Sequence, residues 1–170
     1  MSDSDELSNT PKNNLIFLLY LTMGNLYPRQ HSAEHILTGV FGMLFQWSII
    51  DSRFKENKVR CDFRVKLDIP LEEAIKQVEN KANEIIYENR PITFENASRN
   101  EATHLCTLHR IPENAENIRL VKIGNDIITP CIGEHISNTK EIGTLHIRTF
   151  NLTEPDVIRL TFALEDIENN

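Results

Sequence analysis

The sequence predicts an α+β fold: two long helices packed on a largely antiparallel sheet. Three observations predict it. Residues 29–47 repeat apolar side chains at helical spacing, with Ile36, Leu37, Val40, Phe41, Leu44 and Phe45 on one face. A second helical stripe, Leu71, Ala74, Ile75, Val78, Ala82, Ile85 and Ile86, follows Pro70. Segments such as KVRCDFRVKL and DVIRLTFALEDI alternate apolar and polar residues, the period of a half-buried strand. With 170 residues, 40% of them hydrophobic and 25% charged, the chain can build the core of one globular domain.

Taken in order, residues 1–14 are polar, carry Pro11 and show no periodicity, so they read as a flexible N-terminal segment. Residues 15–170 read as a single domain. The stretch LIFLLYL, 15–21, is shorter than the roughly 20 residues that span a bilayer. The acidic, polar residues ahead of it also differ from the basic start of a secretory signal, so it is expected to pack on the domain. MGNLYP, 23–28, reads as a turn that places Pro28 near the start of the first helix. In KVRCDFRVKL the inward face is Val59, Cys61, Phe63, Val65 and Leu67. The second helix is expected to stop at Arg90-Pro91, because a residue before proline disfavours the helical region. PITFENA is a strand, and SRNE, 98–101, has the form of a capping box opening a short helix to about Leu105. NIRLVKIG is a strand that offers Ile118, Leu120 and Ile123 for packing, with a turn at Asn125-Asp126. Residues 126–143 read mostly as loop, interrupted by Pro130, Gly133 and Gly143. TLHIRTFNL and DVIRLTFALEDI then form a hairpin around Glu154-Pro155. No internal repeat or low-complexity tract is present.

The net charge of −7 argues against a generically basic nucleic-acid binder. An RNA contact would need a local cluster drawn from residues such as Lys58, Arg60, Arg119, Lys122 and Lys140. The three cysteines, Cys61, Cys106 and Cys131, are odd in number and widely spaced. They form no disulfide framework and point to a reducing, cytoplasmic setting.

The sequence HSAEH, 31–35, sets two histidines four apart at a helix start. Side chains at i and i+4 lie one above the other on a helix, so two imidazoles there can share a metal ion. Two ordinary histidines at a helix start would look the same. CIGEH, 131–135, adds a thiol and an imidazole, Cys131 and His135, both preferred ligands of zinc. Spacing alone leaves open whether the fold brings the two halves together.

RQHSAEHILTGVF resembles the HxxxH segment of the alanyl-tRNA synthetase editing domain. IRLVKIGNDIITPCIGEHISNTKEIGTLHI resembles that family's C-G-G-T-H segment, followed by N-T-x-E-I-G and a strand. Order, separation and helix–strand pattern agree, and the resemblance covers most of residues 28–165. The family includes freestanding AlaX proteins and the second additional domain of threonyl-tRNA synthetase. The resemblance implies the editing-domain fold and a freestanding, trans-acting aminoacyl-tRNA deacylase. Its partner would be mischarged tRNA, with no membrane and no DNA, and its substrates serine or glycine esters of alanine tRNA. It further implies Zn2+ held by His31, His35, Cys131 and His135.

Ser32 stands where many alanyl-type sequences have Thr. Its hydroxyl is a candidate to hydrogen-bond near the substrate; the alternative is a serine capping its own helix. Ile132 and Glu134 replace the second Gly and the Thr of C-G-G-T-H, while Gly133 is kept. Glu134 is either a general base beside the metal loop or a solvated loop residue. These departures bear on substrate choice more than on metal binding. Longer AlaX forms carry a small β-barrel ahead of the editing domain, and residues 1–27 are too few for one. His104 and His109 in THLCTLHR read as structural or surface residues, since the family motif does not require them. Two other functions fit the same residues. One is a deacylase for another mischarged tRNA, such as seryl-threonine tRNA. The other is a non-catalytic zinc-stabilised module that binds RNA or protein.

Overall fold

Helix α1, Pro28–Phe45, starts where its composition allows. Proline at the first helical position loses no hydrogen bond and has its φ pre-set. The helix stops at Gln46 in the left-handed region, with φ 57°. There the Gln46 and Trp47 N–H groups return to the carbonyls of Gly42 and Phe41. In this computed structural model the described residues are 27–109 and 111–166. The expected flexible segment, the apolar element at 15–22 and most of the 23–28 turn lie outside them.

After α1 the chain forms the hairpin β1 (Ser48–Lys55) and β2 (Lys58–Arg64), then helix α2 (Leu71–Tyr87). Strand β3 (Ile92–Ser98) leads through the capping box into α3 (Arg99–Leu105). The Ser98 side chain accepts from the Glu101 N–H and the Glu101 carboxylate from the Ser98 N–H, as SRNE predicts. Strands β4 (Asn117–Ile123) and β5 (Ile127–Pro130) follow. A 3₁₀ turn, Thr139–Ile142, precedes the closing hairpin of β6 (Thr144–Glu154) and β7 (Val157–Glu165). All strand pairs are antiparallel.

The α+β class therefore stands, with one correction: the strands form two sheets. One has the order β1-β2-β7-β6 and the other β3-β4-β5. Both pack into one core, where Val40 and Phe41 of α1 meet Val78 and Ile85 of α2, Phe63 and Phe162 of the larger sheet, and Val121 and Ile123 of the smaller. A satellite cluster of Ala97, Ala102, Ile118 and Leu120 lies under α3.

Other expectations need local correction. Strand β1 has no counterpart in the sequence reading, which ran the first helix to Trp47. As an edge strand it buries only Ser52 and Phe54, so its alternation is not apolar. Strand β5 lies in the stretch read as loop; four residues ending on a proline give little pattern. Leu44 and Leu67, placed on inward faces, are exposed. Helix α2 ends at Tyr87, ahead of Arg90-Pro91, and Asn89 turns the chain at φ 55°.

Two polar side chains lock α2 in place. Asn83 bonds both the carbonyl and the N–H of Leu145, at 2.8 Å each, which pairs part of the exposed edge of β6. Fully buried Thr139, from the NTKEIG segment, accepts from the Arg90 N–H at 2.9 Å. Its hydroxyl faces the Ile85 and Ile86 carbonyls at 3.0 Å, satisfying the open end of the helix. Thr139→Val keeps the shape and leaves these groups unpaired. It is expected to cost about 1–3 kcal/mol of folding stability, measured by denaturant titration.

Candidate metal centre

After its first three residues α1 is buried on nearly all sides: His31, Ser32, Ala33, Glu34, His35, Ile36 and Leu37 in succession. Polar side chains in such a place need partners. The loop after β5 supplies them. It reaches α1 because Gly39 lets the helix close on β5; a Cβ there would meet the Ile127 side chain at 2.8 Å.

The loop carries Cys131 and His135 against His31 and His35, and one ligand-type atom from each lies within 4.8 Å of the others. His31 Nε2 is 3.2 Å from His35 Nε2 and 3.5 Å from Cys131 Sγ. Both separations match edges of a metal tetrahedron. Zinc–nitrogen bonds of about 2.0–2.1 Å and zinc–sulfur bonds of about 2.3 Å put ligand atoms roughly 3.3 Å (N···N) and 3.6 Å (N···S) apart. His135 Nε2 and His35 Nδ1 are buried with no hydrogen-bond partner among the described residues. An orphaned buried nitrogen is costly, and a cation beside His135 Nε2 would relieve it. The residues fit a zinc ion.

The groups around the cluster fix its ring nitrogens. The His31 Nδ1–H donates to the Glu134 carbonyl at 3.2 Å, which turns Nε2 inward. His135 Nδ1 lies 3.0 Å from Ser32 Oγ. The Ser32 hydroxyl donates to the Pro28 carbonyl at 2.8 Å and accepts from the Ile136 N–H at 3.3 Å. With its proton committed to Pro28, Ser32 accepts from His135 Nδ1–H and leaves Nε2 as the lone-pair nitrogen. The Gly133 N–H donates to Cys131 Sγ at 3.3 Å.

Burial sets the charge state. It holds His31 down to about 4 and His135 down to about 3, and pushes His35 well below the ordinary histidine range. The imidazoles are thus neutral, the form that ligates. Burial also pushes the Cys131 thiol up to about 11, against the Gly133 N–H, which lowers it. A metal cation supplies the positive charge that favours the thiolate.

All four residues expected to ligate therefore meet. Ser32 lies behind His135, fully buried, with its bonds made to protein groups. Glu134 is exposed, and its carbonyl is the atom that touches a ligand. His104 and His109 are exposed and stand outside the cluster.

Three neighbours are not legible as parts of this site from the sequence alone. Glu34 is 2% exposed; its Oε1 accepts from Thr38 and Ser52, and its Oε2 lies 3.9 Å from His35 Nε2. Arg119, on β4, donates from Nη1 to the carbonyls of Cys131 at 2.7 Å and Gly133 at 3.1 Å. Its guanidinium sits 4.1 Å from the centre of the Phe94 ring. The β3–β4 register explains this grouping: Ile92, Phe94 and Asn96 oppose Ile123, Val121 and Arg119, all on one sheet face. That face is core at the Ile92 end and reaches the metal loop at the Arg119 end.

Residues 118–160 match the threonyl and alanyl tRNA synthetase second additional domain. Over longer stretches the chain is 27% identical to the alanyl-tRNA editing protein AlaX-L of Pyrococcus horikoshii, covering 82% of this chain and 34% of that protein. It is 30% identical to AlaX-M of Methanosarcina acetivorans, covering 81% of this chain and 58% of the relative. It is 32% identical to the alanine–tRNA ligase of Archaeoglobus fulgidus, covering 79% of this chain and 15% of the ligase. The chain thus spans between about a seventh and three-fifths of these relatives.

Proposed function

We propose that this chain, a relative of the alanyl- and threonyl-tRNA synthetase editing-domain family, is a trans-acting zinc-dependent aminoacyl-tRNA deacylase. Its substrate would be alanine tRNA mischarged with serine or glycine. The observation that carries the reading is the convergence of His31, His35, Cys131 and His135, one ligand-type atom of each within 4.8 Å of the others, in a chain related to proteins named for alanyl-tRNA editing.

The reaction is ester hydrolysis. Water adds to the carbonyl carbon, the bond to the ribose oxygen breaks, and the amino acid leaves as its carboxylate with the ribose hydroxyl restored. Zinc bound by the four residues would supply Lewis acidity for the carbonyl and lower the pKa of water to about 7. The remaining work belongs to the chain. Glu134 O and Ser32 Oγ hold the two imidazoles in their ligating tautomers. Arg119 holds the loop that presents Cys131. The Glu134 carboxylate, exposed beside His135, is the group we assign to accept the proton from water. Ser32 acts through His135 in this reading.

Specificity follows from size and hydrogen bonding. A synthetase pocket for alanine cannot exclude glycine by size, and serine adds only a hydroxyl, so a second site must recognise what the first admits. A panel of mischarged tRNAs tests this. The expected pattern is rapid hydrolysis of seryl- and glycyl-alanine tRNA and slow hydrolysis of alanyl-alanine tRNA, with a deficit in Glu134→Gln. Cleavage of seryl-threonine tRNA alone would reassign the tRNA, and no cleavage by zinc-loaded protein would leave a binding module.

A further inference from the structure

We propose that the ring of Phe94 is the stacking platform for the terminal purine base of the substrate; the inference rests on the deacylase reading above. Phe94 is 47% exposed and Ile132 54%, among the largest exposures of big apolar side chains in the described residues. Both stand at the metal cluster. The Phe94 ring centre is 6.2 Å from that of His135, and Ile132 lies between Cys131 and Gly133. Leaving two such side chains in water beside a site is unfavourable unless something covers them.

The geometry selects the occupant. In an aminoacyl-tRNA the ester sits on the ribose of the last nucleotide, so one sugar separates the carbonyl from the base. A carbonyl at the cluster therefore places the base about one ring away, the distance at which Phe94 stands. Charge agrees with shape. The Arg119 guanidinium lies over one face of the Phe94 ring, 4.1 Å from its centre, so the base would stack on the opposite face with a positive charge close by for the phosphate. The sheet register holds Phe94 and Arg119 on the same face, and the two carbonyl bonds of Arg119 fix the guanidinium. Platform and metal loop are thus one rigid unit.

The test compares two serine esters that differ only in the alcohol: 3′-O-seryl-adenosine and serine ethyl ester. The zinc-loaded wild-type chain is expected to cleave the adenosine ester with the higher kcat/KM. Phe94→Ala should lower kcat/KM for the adenosine ester about 5- to 100-fold, mainly through KM, the range expected for one base on one aromatic ring. It should leave the ethyl ester and the zinc content unchanged, and Phe94→Trp should restore the preference. Binding of adenosine 5′-monophosphate, followed by NMR, should weaken in Phe94→Ala by a similar factor. Equal cleavage of both esters by the wild type, an equal loss on both in Phe94→Ala, or unaltered nucleotide binding would overturn the platform. If neither ester is cleaved, the panel of mischarged tRNAs decides the deacylase reading, and the nucleotide titration decides the platform alone.

Discussion

Replacing Cys131 with alanine is expected to take the chain from one zinc ion to a small fraction of one, and to abolish deacylation. Cys131 is 7% exposed and its sulfur sits 3.5 Å from His31 Nε2, so alanine removes a buried donor from within the cluster. Losing a partner outside the coordination sphere typically costs about 10- to 100-fold in metal affinity or activity. Losing a ligand should cost more, so activity should fall by at least about 100-fold. His35→Ala should behave alike, since its ring is buried in the same cluster. Cys106→Ala is the control: its thiol is half-buried under α3 and belongs to no cluster of possible ligands among the described residues. Three measurements check the result: metal analysis after dialysis, the sulfur-to-metal charge-transfer band of a cobalt-substituted sample, and the melting temperature with and without chelator. A metal that binds only the folded chain raises its stability, so wild type should lose thermal stability in chelator and Cys131→Ala should not. Full zinc occupancy in Cys131→Ala would refute the ligand assignment. Full activity in zinc-free wild type would leave the metal a structural role at most.

How much of this was legible in the chain depended on what each residue type can do alone. The stripe of α2 could be read because its apolar residues face one way and its polar residues the other. The ligands could be found because the HxxxH and Cys-x-x-x-His segments together resemble those of the editing-domain family; their spacing alone left ordinary histidines and a plain loop as open readings. The capping box of Ser98 and Glu101 is a local motif and needed no fold. Strand β1 was hidden because an edge strand buries one face sparsely, and here the buried positions are a serine and a phenylalanine. The second sheet was hidden because strand alternation says which residues face inward, not which strands pair. Arg119 was visible only as one more basic residue. Its role depends on β4 lying beside β5 in a register that sets its guanidinium under the carbonyls of Cys131 and Gly133. Ser32 shows the same limit from the other side. A serine after the first histidine suggested a hydroxyl for the substrate, and only the folded loop reveals that Pro28, His135 and Ile136 surround it.

Gly133→Ala should be the most damaging single-methyl change in the loop. A Cβ at this position would lie 2.5 Å from His31 Cε1 and 2.9 Å from His31 Nδ1. Neither neighbour can yield. The His31 ring is 1% exposed, stacked at 4.3 Å on His135 and edge-on at 5.5 Å to Phe54. On the other side, the Gly133 carbonyl is tied to Arg119 and its N–H to Cys131 Sγ. The backbone does not explain the glycine, since Gly133 is not among the positive-φ residues. What alanine would add is a clash with a ligand ring. Moving that ring breaks its Nδ1 bond to the Glu134 carbonyl and pulls Nε2 out of register with Cys131. Metal sites tolerate distance errors of only about 0.2 Å. We therefore expect zinc affinity to fall by about 100-fold or more, in line with the loss of both an orienting bond and the ligand spacing. Gly133 is buried against His31 and beside Cys131, which belongs to the main core, so the melting temperature in chelator should fall as well, and zinc affinity is compared at a temperature where both proteins are folded. Ile132→Gly, one residue away on an exposed side chain, should retain zinc fully. Competition titration against a chromophoric chelator, with melts in parallel, separates the outcomes. Wild-type affinity in Gly133→Ala would show that His31 and the loop can part without cost, and would contradict the close packing on which the metal assignment depends.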